Sequence, residues 1–279
     1  MIYLDNAATT KPCDEAKAAV MKGLEVFGNP SSLHRAGLDA ELLVSDAREI
    51  IADALGVTPD EVYFTSGATE SNNTAIFGAY KAHGKRKKRV VISSVEHPAV
   101  KNPAQELEDM GCEVVRISPD ENGEINARDI FAAVNEDTFL VSCMLVNNEN
   151  GYILPVEKAF SMIKKKYPQV LTHCDCVQGF MKIPVKAKKL NADMISLSGH
   201  KIYAPKGIGA LYVKKGIHIP PFMLGGGQEK GFRSGTESVP LICGFGAAVK
   251  KLAPNVSANF EKVADIQAYL IEKCNENGD

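Results

Sequence analysis

Short β-branched runs alternate with amphipathic helical patterns through most of this chain, and that alternation leaves few folds open. The runs are Glu61–Thr65, Arg89–Ser93, Glu113–Ile117, Phe139–Val146, Val170–His173 and Met194–Leu197. Between them fall helical patterns at Glu70–Ala82, Ala99–Met110, Ala127–Val134 and Val156–Lys166. Strands joined by crossover helices must pair in parallel, because a parallel pair cannot be closed by a tight turn. The pattern therefore predicts an α/β sandwich: a mostly parallel sheet with helices on both faces. Gly207-Ile208-Gly209 ahead of Ala210–Val213 reads as a tight return and predicts one antiparallel strand. No internal repeat and no low-complexity segment interrupts the pattern.

Composition narrows the partners. At 279 residues and 45% hydrophobic, the chain has enough apolar mass for a core without staples and is long enough for one large domain or two smaller ones. Lys and Arg number 32 against 34 Asp and Glu, a net charge of −2, which argues against nucleic acid as the main partner. The basic run Lys85–Arg89 reads as a solvated helix-to-strand connection. The longest apolar stretch, Leu140–Val146, falls well short of the ~20 residues of a membrane span. The opening Met1–Asn6 lacks the basic and apolar regions of a signal peptide. Seven cysteines without a regular framework suggest reduced thiols in a cytoplasmic protein.

Five strands end in polar clusters, and open α/β sheets bind ligands beyond the carboxyl ends of their strands. Ser66-Gly67-Ala68-Thr69 leads a Gly turn into a helix, which offers free N–H groups and a positive dipole end to an anion. The same residues would also serve as a plain helix cap. Glu96-His97-Pro98 places a flat ring at a helix start, either as a cap or against a planar ligand. Asn147-Asn148-Glu149-Asn150-Gly151 could orient a ring substituent or make an ordinary Asn-Gly turn. His173-Cys174-Asp175-Cys176 contains metal-ligand types, but strand alternation sends His173 and Asp175 to one face and both thiols to the other, against a convergent zinc site. Ser198-Gly199-His200-Lys201 sets an amine among hydroxyl and imidazole donors, where burial would make it nucleophilic enough for a Schiff base. One ligand satisfies all five clusters, and it is pyridoxal phosphate. Lys201 would meet its aldehyde, Asp175 its ring nitrogen, His97 its ring face and the Ser66–Thr69 turn its phosphate.

These motifs, in this order, resemble the class V aminotransferase family and within it the NifS/IscS-type cysteine desulfurases. The matching segments are Tyr3–Thr10, Asn29–His34, Thr65–Asn73, Glu96-His97, Val146–Glu149, Asp175 with Gln178, Ser198–Lys201 and Arg233-Ser234-Gly235-Thr236. The resemblance implies the fold of type I pyridoxal-phosphate enzymes. It implies that Lys201 binds the cofactor covalently and then moves protons, that Asp175 pairs with the pyridine nitrogen, and that His97 stacks on the ring. It further assigns Asn148 and Gln178 to the phenolic oxygen, and Ala68, Thr69, Ser198 and His200 to the phosphate. Thr236 would reach the cofactor of a neighbouring subunit, which implies a homodimer. The implied reaction converts L-cysteine to L-alanine and passes the sulfur, as an enzyme persulfide, to an iron–sulfur scaffold protein or a tRNA-thiolation partner. Aminotransferases, selenocysteine lyases and a cofactor-binding fragment without turnover are the competing readings.

Two departures from the family pattern are small: Cys176 replaces the usual Ala, and Gln228 stands where His is common. A larger one concerns the C-terminal part. The family's persulfide cysteine and its carboxylate-gripping arginine map to nothing in this chain, and no cysteine from Cys13 to Cys274 has the matching context. The stripe Phe260, Val263, Ile266, Leu270 and Cys274 recurs at helical spacing just before Asn277-Gly278-Asp279. The expected organisation is an N-terminal segment (1–14), a cofactor-binding large domain (15–255) and the first helix of an incomplete small domain (256–279), with sulfur transfer by this chain alone expected to fail.

Overall fold

The computed structural model describes residues 2–276; Met1 and the final Asn277–Asp279, part of the expected domain ends, lie outside them. Seven strands form one sheet: β1 (Val62–Thr65), β2 (Arg89–Ser93), β3 (Glu113–Ile117), β4 (Thr138–Ser142), β5 (Leu171–Asp175), β6 (Met194–Ser198) and β7 (Gly209–Val213). Their order across the sheet is β1-β7-β6-β5-β4-β2-β3. Every pair is parallel except those of β7, which runs antiparallel to both β1 and β6. The Gly207–Gly209 return thus inserts an antiparallel strand between two parallel ones, as its sequence predicts.

The crossovers are α3 (Ala68–His83), α4 (Pro98–Asp109), α5 (Ala127–Ala132), α6 (Val156–Lys166) and the short α7 (Ala187–Leu190). They follow α1 (Asp14–Glu25) and α2 (Arg35–Leu55), and α8 (Val239–Leu252) and α9 (Val256–Glu276) close the described chain. Strand alternation divides the core. Val90 and Ile92 join Ile76, Val100 and Leu107 beneath α3 and α4 on one face. Val91 and Val141 join Ile51, Phe160, Ile163 and Phe245 from α2, α6 and α8 on the other.

One expected strand ends early. The run Phe139–Val146 is apolar throughout, yet β4 stops at Ser142. Beyond it the chain still follows β5, through Cys143 N–H to His173 O (3.1 Å) and Leu145 N–H to Asp175 O (2.9 Å). It then turns back on itself at the Val146–Ile153 bridge. Hydrophobicity reports burial, and here burial outlasts the ladder. In α9 only Val256 is buried, whereas Phe260, Val263, Ile266 and Leu270 are 41–63% exposed.

Candidate active site

The carboxyl ends of β1, β2, β4, β5 and β6 face one cavity of about 870 Å³. Its wall includes Ala68, Thr69, His97, Asn148, Asp175, Gln178, Ser198, His200 and Lys201, so nine positions singled out in the sequence converge there. Thr236 is the exception; it is exposed and lies outside this wall.

The turn after β1 depends on two glycines. Gly67 adopts φ 156°, ψ 175°, a region essentially closed to other residues. Gly209 passes so close that a Cβ on it would lie 2.7 Å from the Gly67 Cα. Within the turn, the Ser66 N–H (2.9 Å) and hydroxyl (2.6 Å) both donate to Glu70 Oε2, so Ser66 serves as a brace. Arg233 grips the same carboxylate through Nε at 2.8 Å, pinning the loop before α8 to the start of α3. Burial works to raise the Glu70 pKa, but the bonds from Arg233 and Ser66 outweigh it and hold the group below its usual range.

His97 caps α4, its Nδ1 accepting from Ala99 N–H at 3.1 Å, and its ring borders the cavity. The cap reading therefore holds, and the cap does not take the residue away from the cavity wall. Of the two tandem asparagines, Asn147 makes the turn: its Oδ1 accepts from Glu149 N–H (2.9 Å) and Asn150 N–H (3.2 Å). Asn148 remains at the cavity wall. His173 is wholly buried between the Ser142 (2.7 Å) and Ser196 (2.9 Å) hydroxyls, and burial depresses its pKa to about 3.

Asp175, at the end of β5, is 4% exposed. Its Oδ1 accepts from Val177 N–H (3.0 Å) and its Oδ2 from Asn72 Nδ2 (2.7 Å). Burial raises its pKa despite those bonds and the charges of His97 and Lys201, and among the described residues no cation bonds it. Such an acid suits a positively charged ring nitrogen, which would offset its desolvation. Lys201 Nζ donates to Ala7 O (2.5 Å) and Ala8 O (2.8 Å) of the N-terminal segment. Burial lowers its pKa against the pull of Asp5 and Asp175, the direction an amine nucleophile needs. His200 bonds Thr9 Oγ1 at 3.1 Å, and burial together with the charge of Lys201 depresses it.

Sequence reasoning left four participants without a role. Asn72 orients Asp175 while its own Oδ1 is buried and unpartnered. Ala7 and Ala8 act through backbone carbonyls, which no side-chain pattern reveals. Glu96 is 1% exposed beneath His97, accepting from Ser93 Oγ and from Met144 N–H. Glu96 and Asn72 stand inside quoted motifs, so their motifs were the available signal.

A mostly parallel sheet with an amine and a buried acid at its strand ends matches the fold of the type I pyridoxal-phosphate enzymes, as the solved NifS-like structures below bear out. The chain belongs to the class V aminotransferase family, whose profile (Aminotransferase class-V) matches residues 2–277. It is 41% identical over 273 residues to the cysteine desulfurase IscS of Dictyoglomus turgidum, covering 98% of this chain and 69% of that one. It is 44% identical over 278 residues to a NifS/IcsS protein homolog of Lactobacillus delbrueckii, with 99% and 71% covered. Among solved structures, a NifS-like protein superposes with a TM-score of 0.96 at 38% identity, covering 99% of this chain and 76% of that one. SspA in complex with cysteine matches with a TM-score of 0.87 at 38% identity, covering 95% and 78%.

Proposed function

We propose that the cavity holds pyridoxal 5'-phosphate and that this chain is the cofactor-binding part of a cysteine desulfurase acting on L-cysteine. The observation that carries the reading is Asp175, a buried acid without a bonded cation, facing the same cavity as a pKa-lowered lysine. The names of the relatives supply the substrate class. When bound, the cofactor supplies an aldehyde and an electron-withdrawing ring.

The chain's own residues have distinct tasks. Lys201 Nζ, released from the Ala7 and Ala8 carbonyls, is the attacking amine and later holds and moves the proton at the substrate's α-carbon. Asp175 keeps the ring nitrogen positive, and His97 covers one ring face. The N–H groups of Ala68 and Thr69, with the Thr69 and Ser198 hydroxyls and His200, hold the phosphate. Asn148 and Gln178 orient the phenolic oxygen. Thr236, outside this cavity, serves the partner's site in a homodimer. Residues 15–255 form the cofactor-binding domain, and 256–279 begin a second domain, a division supported by how little of α9 is buried. The seven unpaired cysteines fit a reducing, cytoplasmic setting.

In the full reaction, L-cysteine becomes L-alanine while its sulfur joins an enzyme thiol as a persulfide, destined for an iron–sulfur scaffold or another sulfur acceptor. None of the seven thiols lines the cavity. That observation favours a second reading for the 279-residue chain by itself: cofactor binding without sulfur transfer. Borohydride reduction of the cofactor-treated protein, followed by peptide mapping, tests the site. The label is expected on Lys201, and a Lys201→Ala variant that still carried a reducible adduct would overturn the assignment.

A further inference from the structure

Resting on that reading, we infer that Lys182 is a positioning residue that sets which way the Gln178 amide faces, so that Gln178 offers an N–H to the ligand's oxygen. Lys182 stands outside the cavity wall, in the turn after β5. Its Nζ donates to Gln178 Oε1 at 2.5 Å, while Gln178 Nε2 donates to Ala7 O at 2.9 Å. An ammonium group has three donors and no acceptor, so it tolerates only the amide oxygen. Flipping the amide would set its NH2 against the ammonium and its oxygen against the Ala7 carbonyl. The nitrogen has two hydrogens, of which Ala7 O takes one; the other is left for the cavity that Gln178 lines.

Ala7 O, which also accepts from Lys201 Nζ, is the weaker of the two constraints, because its bond with the Gln178 amide joins two neutral groups. Lys182 acts from the opposite side through a charge-assisted bond, independent of the N-terminal segment. Its neighbour Met181 is held at φ 60°, a costly conformation for a residue with a side chain, so the turn carrying Lys182 is defined by its surroundings. Burial and the charge of Lys201 bring Lys182 down to about 8, which leaves it a cation at neutral pH.

The test is equilibrium binding of pyridoxal phosphate to the apo-protein at neutral pH, with the pH titration of the bound visible band as a second readout. Lys182→Met is expected to weaken binding about ten-fold and to raise the pH at which the band titrates. In a Gln178→Ala background the same change should cost less than about two-fold, because its effect travels through that amide. Lys182→Arg, still a donor-only cation, should bind like wild type, whereas Lys182→Gln, able to accept as well as donate, should not. That second pair keeps the question open to refutation if the Met variant fails to fold. Equal affinity across the Arg and Gln variants, or an undiminished loss in the Gln178→Ala background, would overturn the inference. Wild type that binds no cofactor would overturn the cofactor reading itself.

Discussion

Glu96 carries an energetic cost that its neighbours only partly offset. Burial drives its pKa from 4.5 up to about 8, against the bonds from Ser93 and Met144, and its Oε2 has no partner. The acid is therefore neutral in the folded state where the unfolded chain has already ionised. Its contribution to stability is whole below pH 4.5 and drains away as pH rises toward about 8. The slope cannot exceed about 1.4 kcal/mol per pH unit. Glu96→Gln keeps both accepted bonds and removes the ionisation. Denaturant midpoints taken across that window should fall in wild type and stay nearly level in the variant; parallel curves would refute the argument. Asp175 differs in that a ligand can relieve it. Asp175→Ala is expected to weaken pyridoxal phosphate binding at least about ten-fold, read by equilibrium dialysis, since a charge-assisted bond is lost. Unchanged affinity would reduce Asp175 to a strand cap.

At the scale of elements, legibility in the sequence followed locality. β2 and β3 match their predicted spans because each is a short run built on β-branched residues, Val90-Val91-Ile92 in the one and Val114, Val115 and Ile117 in the other. The site clusters were visible for a related reason: the chain places them directly after the strands that carry them. What escaped notice joins residues far apart, such as Asn72 with Asp175, 103 positions on, or Gln178 with the carbonyl of Ala7, 171 positions back. No window of sequence contains both partners, and a backbone carbonyl has no residue-type signature. The early end of β4 failed differently, since an apolar run cannot distinguish a paired strand from a buried return. α9 presents a stripe that periodicity predicted and that, among the described residues, stays largely exposed. Exposed apolar surface of this kind drives association. Replacing Ile266 and Leu270 together with Lys should shift the protein toward smaller species in analytical ultracentrifugation, and an unchanged distribution would refute a role for this face in association.

For the whole molecule, the relevant contrast is between binding and turnover. The chain spans about 69–71% of the length of the two curated relatives named above, and none of its own thiols lines the cavity. Purified as 279 residues, it should take up pyridoxal phosphate yet release little sulfide from L-cysteine. A version extended to the length of those relatives provides the comparison, by methylene-blue detection. Similar sulfide from both would mean that one of the seven thiols reaches the site after all. The N-terminal segment across Lys201 has one more consequence, which concerns the chain while it is being made. Lys201 leaves the ribosome 194 positions after its partner Ala7. At ordinary rates of elongation that interval is roughly 10–40 s. Until Gln178 and then Lys201 have emerged, the Ala7 carbonyl has neither of its side-chain donors, and a nascent chain released in the interval would lack the lysine that ties this segment across the cavity.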